Sequence, residues 1–354
     1  MRVKGVVMIG PAASQSGAGT CTERVANRAI LCHVLESLAA AGIEELAVVG
    51  PAGAIPIARA HVDAEMETAP AIAWMPDDGA DGLRGALAVA APFVGDDACI
   101  AHPADGLVGG ELGGFVGLGS ANPPDLLLLL HRSRDEDARL GPASRRLLGI
   151  TDIDGSRRRL APTGVCVFGR GGLQRAVSVA PADGRNGDRD VDGPLAVAQA
   201  LAGDGRLLEA GVVRTWHSYR GDPQDLLELN RIVLDQQQPQ AERPDRGNNH
   251  IEGRVTIDPS AEISGSTILG PSIVGAHARI CDSYIGAYTS IGAGAEIENT
   301  EIVRSIVSEG ARIRHVNGRI EGSTIGRDAQ IFRDFALPRA MRLHVGTGVE
   351  LALN

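Results

Sequence analysis

The sequence predicts a chain of two parts: an α/β domain on a mostly parallel sheet, followed by a three-sided prism of short stacked parallel strands. Three observations carry that prediction. From residue 251 to 331 an aliphatic residue returns every five or six positions, with one step of seven from Ile313 to Ile320. Over the first 235 residues strand-like and helix-like runs alternate. Between these regions lies a polar stretch, QQQPQAERPDRGNN (236–249), with two prolines and no periodicity, which marks a linker.

The prism rests on its period. Ile251, Ile257 and Ile263 begin a series continued by Ile268, Val274, Ile280, then Ile285, Ile291, Ile297, then Ile302, Val307, Ile313, then Ile320, Ile325, Ile331. A strand alternates with period two and a helix with about 3.6, so neither explains this step. Stacked coils do, because each of three flat sides turns one aliphatic residue inward. Each trio advances 17 or 18 residues, one coil, giving five coils. Gly270, Gly286, Gly292 and Gly326 follow aliphatic residues and are expected at corners, where positive φ suits a residue without a Cβ. The alternative, an Ile-rich β-sandwich, requires turns every 8 to 12 residues or so.

Upstream, Val3 to Gly10 is an apolar run expected as a buried strand. Residues 26–41 have helical spacing at Ile30, Leu31, Val34, Leu35 and Leu38. Strand 45–50, helix 53–66, strand 71–76, helix 83–93 and strand 98–102 continue a β-α-β-α order that calls for a parallel sheet with helices on both faces. Beyond this the order loosens. Strands are expected at 125–131, 146–153 and 164–168, a short helix at 195–201, and a sheet-closing strand at 212–219. A last helix spans 223–235 with Asp222 as its N-cap. Segments 108–123 and 181–193 read as mobile loops.

Length and composition bound the function. At 354 residues, 44% hydrophobic and 22% charged, the chain has the composition of a two-domain soluble globular protein. A formal charge of -10 repels phosphate backbones and anionic lipid, so neither nucleic acid nor a membrane is the expected partner. No apolar run of about 20 residues occurs and the start lacks a signal-peptide core, so a cytoplasmic location is expected. Five scattered cysteines without a Cys-x-x-Cys pair indicate neither a zinc site nor a disulfide framework.

Several segments carry a more specific likeness. IEGRVTIDPSAEI (251–263), SYIGAYTSIG (283–292), EIVRSIVSEGARI (301–313), STIGR (323–327) and LPRAMRLHVGTGVEL (337–351) resemble the long-form glucose-1-phosphate thymidylyltransferases of actinomycete sugar and antibiotic pathways. So do VANRAI (25–30), GIEELAVVG (42–50), DGLRGAL (81–87) and GDPQDLLELNRIVLD (221–235). The resemblance implies a Rossmann-like nucleotidyltransferase domain at 1–235, a linker at 236–249, and a left-handed β-helix with a C-terminal tail at 250–354. It also implies a chemistry: a sugar-1-phosphate attacks the α-phosphate of a nucleoside triphosphate in line, with magnesium bridging phosphate oxygens. Catalysis of that kind is mostly positioning plus cations that meet the developing negative charge.

The parts that the resemblance implies are present unevenly. In GPAASQSGAGTCTERVANR, Gly10, Gly17 and Gly19 are expected as nucleotide-binding backbone, or as simple turn glycines. Cys21 stands where the loop arginine is expected, no lysine of a P-K-Q-L pattern precedes Val25, and Arg24 and Arg28 are the nearest cations. Asp105, after a buried strand, falls on the family's metal-binding aspartate; an Asx turn before Gly106 is the plainer alternative. Tyr219 takes the place of the second metal-binding aspartate, and a protonated phenol is a poor magnesium ligand. Gly82 and Leu83 are expected either at the nucleobase or in a turn. Arg157, Arg158 and Arg159 replace the family's sugar- and phosphate-holding segments, as a phosphate contact or a solvated loop face. His250, His277 and His315 sit beside no acceptor motif that would make them general bases.

These substitutions predict a sugar-1-phosphate nucleotidyltransferase homologue with a degenerate active site, keeping a binding or scaffolding role. No catalytic residue is assigned. The expected ligands are a nucleoside triphosphate or nucleotide sugar, the expected partners a second enzyme and further copies of the chain. The alternative is an active enzyme with rebuilt catalytic residues that makes an NDP-sugar or NDP-cyclitol from an unusual sugar phosphate, with Mg2+ as cofactor.

Overall fold

The computed structural model describes residues 2–10, 20–68, 70–77, 82–110, 112–121, 124–133, 140, 142–150, 160–179, 193–237 and 248–333. The chain falls into two compact units, Met1–Thr22 with Ile30–Ser218, and Glu23–Ala29 with Tyr219–Asn354.

The first unit follows the alternation of its sequence. It contains β1 (Val3–Met8), α1 (Ile30–Ala40), β4 (Glu45–Pro51), α2 (Ile55–Glu65), β5 (Ala71–Asp77), α3 (Gly82–Val94), β6 (Ala98–Pro103), β7 (Gly106–Val108) and α4 (Leu112–Ala121). After these come β8 (Leu126–Arg132), α5 (Pro142–Leu147), β9 (Leu160–Phe168), α6 (Gly172–Val179), α7 (Pro194–Gly203), β10 (Leu208–Val212) and β11 (Trp216–Ser218). The remaining short strands β2 (Arg24–Val25) and β3 (Arg28–Ala29) belong to the second unit.

Seven strands form one sheet in the order β10-β8-β9-β6-β1-β4-β5, parallel except for β9, which runs antiparallel to β6 and β8. The sheet is Rossmann-like and mixed. Leu126 to Leu130 are all buried, as a strand covered on both faces requires. A bulge between Leu128 and Leu130 is satisfied by buried Thr163, whose hydroxyl donates to the Leu129 carbonyl at 2.9 Å and accepts from Val165 N–H at 3.0 Å. Cys21, Cys32, Cys99 and Cys166 are buried thiols of this unit outside any disulfide.

Four expectations are corrected. The helix drawn from residue 26 begins at Ile30, because 24–29 form a two-strand hairpin. Residues 112–121 are a helix and not a loop; its glycines hid it by lowering helix propensity, while Leu112 and Val116 bury. Arg145 to Leu147 end α5 where a strand beginning at Arg146 was expected. The run 212–219 does not close the main sheet: β10 ends at Val212, and β11 pairs antiparallel with β7 in a separate ribbon. Segment 181–192, most of the linker and the tail from 334 lie outside the described residues.

In the second unit fifteen short strands stack as three five-stranded parallel sheets, the left-handed β-helix. The expected aliphatic residues register in three unbroken columns. Ile251, Ile268, Ile285, Ile302 and Ile320 form one. Ile257, Val274, Ile291, Val307 and Ile325 form the second, and Ile263, Ile280, Ile297, Ile313 and Ile331 the third. Ile268 to Ile313 in these columns are nearly solvent-free, while Ile251, Ile263, Ile320 and Ile331 at the ends are partly buried, and each fully buried side chain contributes about 2 kcal/mol of transfer free energy.

The corner glycines act differently from expectation. None of Gly270, Gly286, Gly292 and Gly326 has positive φ. A Cβ on Gly292 would lie 2.6 Å from the Glu309 backbone nitrogen, and one on Gly286 2.7 Å from Val303, so these two are small because the next coil comes close. Left-handed corners are taken by Gly265, Gly294, Gly310 and Gly322, and also by His277, Asp282, Tyr288, Asn299, Arg304, His315 and Asp328. The histidines among them are corner residues.

One corner carries a hydroxyl ladder. Ser266 Oγ accepts from Ser283 N–H at 3.1 Å, and Ser283 Oγ from Thr300 N–H at 3.2 Å, so each coil satisfies the next. On the outer face Arg279 pairs with Glu262 at 3.1 Å, an exposed pair of small energetic weight, and Arg312 pairs with half-buried Glu296 at 3.6 Å.

Helix α8 (Pro223–Asp235) and the β2–β3 hairpin join this unit. Asp222 caps α8 as expected, accepting from Gln224 N–H at 2.9 Å. Tyr288 donates its hydroxyl to Asp235 at 3.1 Å, and Arg24 pairs with Glu309.

Stability of the stack therefore resides in the columns. Ile285→Ala, which empties a fully buried place, is expected to cost about 3 kcal/mol in urea unfolding. Glu262→Ala, on the exposed face, is expected to leave the midpoint unchanged within error.

Candidate functional site

The sheet order decides where a ligand can sit. From β1 the chain proceeds to β4 and β5 on one side, then crosses to β6 on the other. The crevice at the C-terminal ends of β1 and β6 is thus the topological switch point, the usual ligand position in open α/β sheets. Asp105 lies there, in the turn between β6 and β7. Ala104 N–H donates to the Met8 carbonyl at 2.8 Å, which pins that turn to the end of β1.

Asp105 is largely desolvated. Its Oδ2 accepts from the Thr20 hydroxyl at 3.1 Å, and this bond favours the carboxylate. Burial outweighs it, so the carboxyl is held above its ordinary value. Beside it Cys21 is almost wholly buried. Burial and the Asp105 charge push its thiol up to about 12. Where the resemblance sets an arginine, the chain therefore carries a neutral group.

Gly10 follows β1 in an exposed position with open space where a Cβ would be. The sheet brings Gly10 and Asp105 to neighbouring strand ends. Gly82 and Leu83 open α3 after β5, two strands from β1 and so about 10 Å across the sheet. Gly82 is exposed with φ +65°, and Leu83 packs partly against the core. Gly17, Gly19 and the Arg157–Arg159 run lie outside the described residues.

The second acidic position is equally telling. Tyr219 is pushed above its ordinary value by burial and by the charges of Glu23, Asp225 and Asp222, so its phenol is neutral. Asp222, three residues on, is committed to capping α8. Among the described residues no group of three or more His, Cys, Asp or Glu side chains is placed to hold a metal ion. One carboxylate and one hydroxyl make a poor donor set for a hard divalent cation.

Sequence reasoning missed the layer next to Asp105. His102 is fully buried, with Nδ1 2.7 Å from the Pro103 carbonyl; a carbonyl only accepts, so Nδ1 carries the proton. Its Nε2 has no partner among the described residues, and burial pushes the imidazole down to about 4, so it is neutral. The ring meets Trp216 edge-on at 5.9 Å. Gly106 is required by the same indole, which occupies the space of a Cβ. The Asp-Gly pair signalled a turn, but nothing in the sequence paired it with Trp216.

Two outcomes follow from this geometry. A carboxyl with a raised folded value contributes stability below its unfolded value and loses it as pH rises through the folded one. In chelator, Asp105→Asn is therefore expected to melt higher than the parent at neutral pH, with the difference gone below the ordinary value near 3.8. Gly106→Ala should overpack Trp216 and lower stability by about 2 kcal/mol, read by denaturant unfolding.

Among the described residues no helix is long and apolar enough to cross a membrane. No protein-family model matches the chain. It is 30% identical over 327 residues to a glucose-1-phosphate thymidylyltransferase of Streptomyces griseus, spanning 91% of this chain and 90% of that protein. A second, from Streptomyces antibioticus, is 30% identical over 331 residues with the same coverage. The low-salt glycan biosynthesis nucleotidyltransferase Agl11 of Haloferax volcanii is 27% identical over 358 residues, 93% and 92% of the two chains. A Bacillus anthracis crystal structure, described as a glucose-1-phosphate thymidylyltransferase in complex with a sucrose, shares the fold at 14% identity. Its TM-score is 0.50, covering 65% of this chain and 95% of that one. With a full-length match to the Streptomyces enzymes and the sheet and coil stack described above, the chain belongs to the glucose-1-phosphate thymidylyltransferase family of sugar-1-phosphate nucleotidyltransferases.

Proposed function

We propose that this member of the family has a degenerate active site, binding a nucleoside triphosphate or nucleotide sugar at the switch point without ordinary turnover. The observation that carries the reading is the neutral surrounding of Asp105, with a hydroxyl at Thr20 and a buried thiol at Cys21. Phosphoryl transfer collects negative charge that cations must meet. Losing one such group lowers rate by roughly 100- to 1000-fold, and here an arginine, a lysine and a metal-binding carboxylate are replaced together.

Magnesium fits this donor set poorly. Gly10, Gly17, Gly19, Gly82 and Leu83 are proposed as the nucleotide-contacting backbone, and Asp105 as the remaining acidic group. The division at 1–235, 236–249 and 250–354 is proposed as a division of labour, binding in the α/β part and assembly with further copies or a partner enzyme through the coil stack, to which α8 and the β2–β3 hairpin also belong. A cytoplasmic setting suits a ligand that is a nucleotide. The second reading, an active enzyme for an unusual sugar or cyclitol phosphate, draws on the full-length likeness to named enzymes.

The two readings separate in one assay, pyrophosphate release with a panel of nucleoside triphosphates and sugar-1-phosphates in magnesium. The expected outcome is no sustained release above about one-thousandth of an ordinary family rate, with nucleotide binding visible by calorimetry. Sustained turnover with any pair would overturn the degenerate reading.

A further inference from the structure

Among the described residues the seven-stranded sheet ends on two edges, β5 and β10. An open edge is a row of unpaired backbone groups, and natural proteins blunt it with proline, lysine or a bulge. β5 carries Pro76 and ends on Asp77. β10 reads Leu-Glu-Ala-Gly-Val, with no proline or lysine and an unbroken register against β8. At its two ends stand the most exposed large apolar side chains among the described residues, Leu207 at 55% and Val212 at 48%.

The bonds to β8 fix which backbone groups face outward. Asp125 N–H donates to the Leu207 carbonyl at 2.9 Å, and Val213 N–H donates to the Leu130 carbonyl at 2.8 Å. In a strand the N–H and C=O of one residue point to the same side, and that side alternates along the chain. Odd-numbered residues from Leu207 to Val213 therefore turn to β8, and Leu208, Ala210 and Val212 present both groups to the open side. Side chains alternate between the faces as well. Leu208 and Ala210 pack on the main core, whereas a Cβ on Gly211 would lie 2.7 Å from Phe115 of α4.

This pattern is complementary to itself. A two-fold axis at Ala210 sets Leu208 of one copy against Val212 of the other, and the two Ala210 residues against each other. Each of these is a hydrogen-bonded antiparallel pair, in which the two residues exchange both N–H···O bonds. Glu209 falls opposite Gly211, so no like charges meet directly, and exposed Val212 is covered by Leu208. The two Glu209 carboxylates stand on the diagonal, roughly 7–8 Å apart, and repel mildly. We propose that β10 is an interaction edge whose occupant is a second copy of this chain, joined antiparallel through Leu208, Ala210 and Val212 so that one sheet runs through both α/β units. The contact is isologous and small, which makes the association weak and dependent on concentration. It lies within the α/β unit and rests neither on the nucleotide pocket nor on the coil-stack assembly proposed above.

The test follows the full-length protein by sedimentation velocity from about 1 to 100 µM, a range that brackets a weak dimer. Ala210→Pro removes an outward N–H and no bond to β8, which is where an edge strand tolerates proline. It is expected to keep the circular dichroism of the parent and to weaken the dimer about tenfold, whereas Glu209→Gln should tighten it about twofold. In NMR hydrogen exchange the amides of Leu208, Ala210 and Val212 are expected to gain protection as the parent is concentrated, with Glu209 and Gly211 protected throughout. A parent whose mass does not change with concentration overturns the proposal. So does an Ala210→Pro variant that associates like the parent, the result that assembly through the coil stack alone would give. Outward amides already protected at the lowest concentration would mean that the chain covers its own edge, and this also overturns it. If Ala210→Pro does not fold, Val212→Lys, which sets a charge against Leu208 of the other copy, carries the same readouts.

Discussion

Each coil of the β-helix exists because the backbone groups of one turn are satisfied by the next, at a fixed spacing of one coil. Tyr284 N–H donates to the Thr300 carbonyl at 3.0 Å, Gly292 N–H to Val307 at 2.7 Å, and Arg312 N–H to Ala329 at 2.8 Å. Pairing of this kind allows no slip, because a shift by one residue would turn every inward isoleucine to solvent. The columns, the close corner glycines and the hydroxyl ladder are all consequences of that register. So is the flat flank on which Ser290 meets Asn230.

In the α/β unit the governing constraint is electrostatic. A carboxylate withdrawn from water needs compensation, and the family's chemistry supplies it with cations and a metal. Around Asp105 this chain supplies a hydroxyl and a neutral thiol. Desolvation consequently outweighs hydrogen bonding, and the carboxyl resists ionisation.

Much of the architecture was legible in the sequence because it depends on period and on local chemistry. Isoleucines at a step of five to six can bury together only on a three-sided coil, and Asp222 before a proline and an apolar run is a cap wherever it occurs. The helix at Leu112–Ala121 was not legible, because its glycines speak against a helix and only burial of Leu112 and Val116 argues for one. The corner glycines were legible as corners, yet for Gly292 and Gly286 the reason was misread: a neighbouring coil, and not positive φ, excludes the side chain.

By itself, then, the sequence determined the two architectures, the identity of the inward residues, the cap of α8 and the placing of Asp105 at a strand end. Each of these follows from spacing along the chain. Only the tertiary structure decided that Thr20 bonds Asp105, that Gly106 makes room for Trp216, and that Ala26 is held by Asn230, 204 positions away. These are contacts between residues distant in sequence, and their energies depend on burial and direction, which no local pattern encodes.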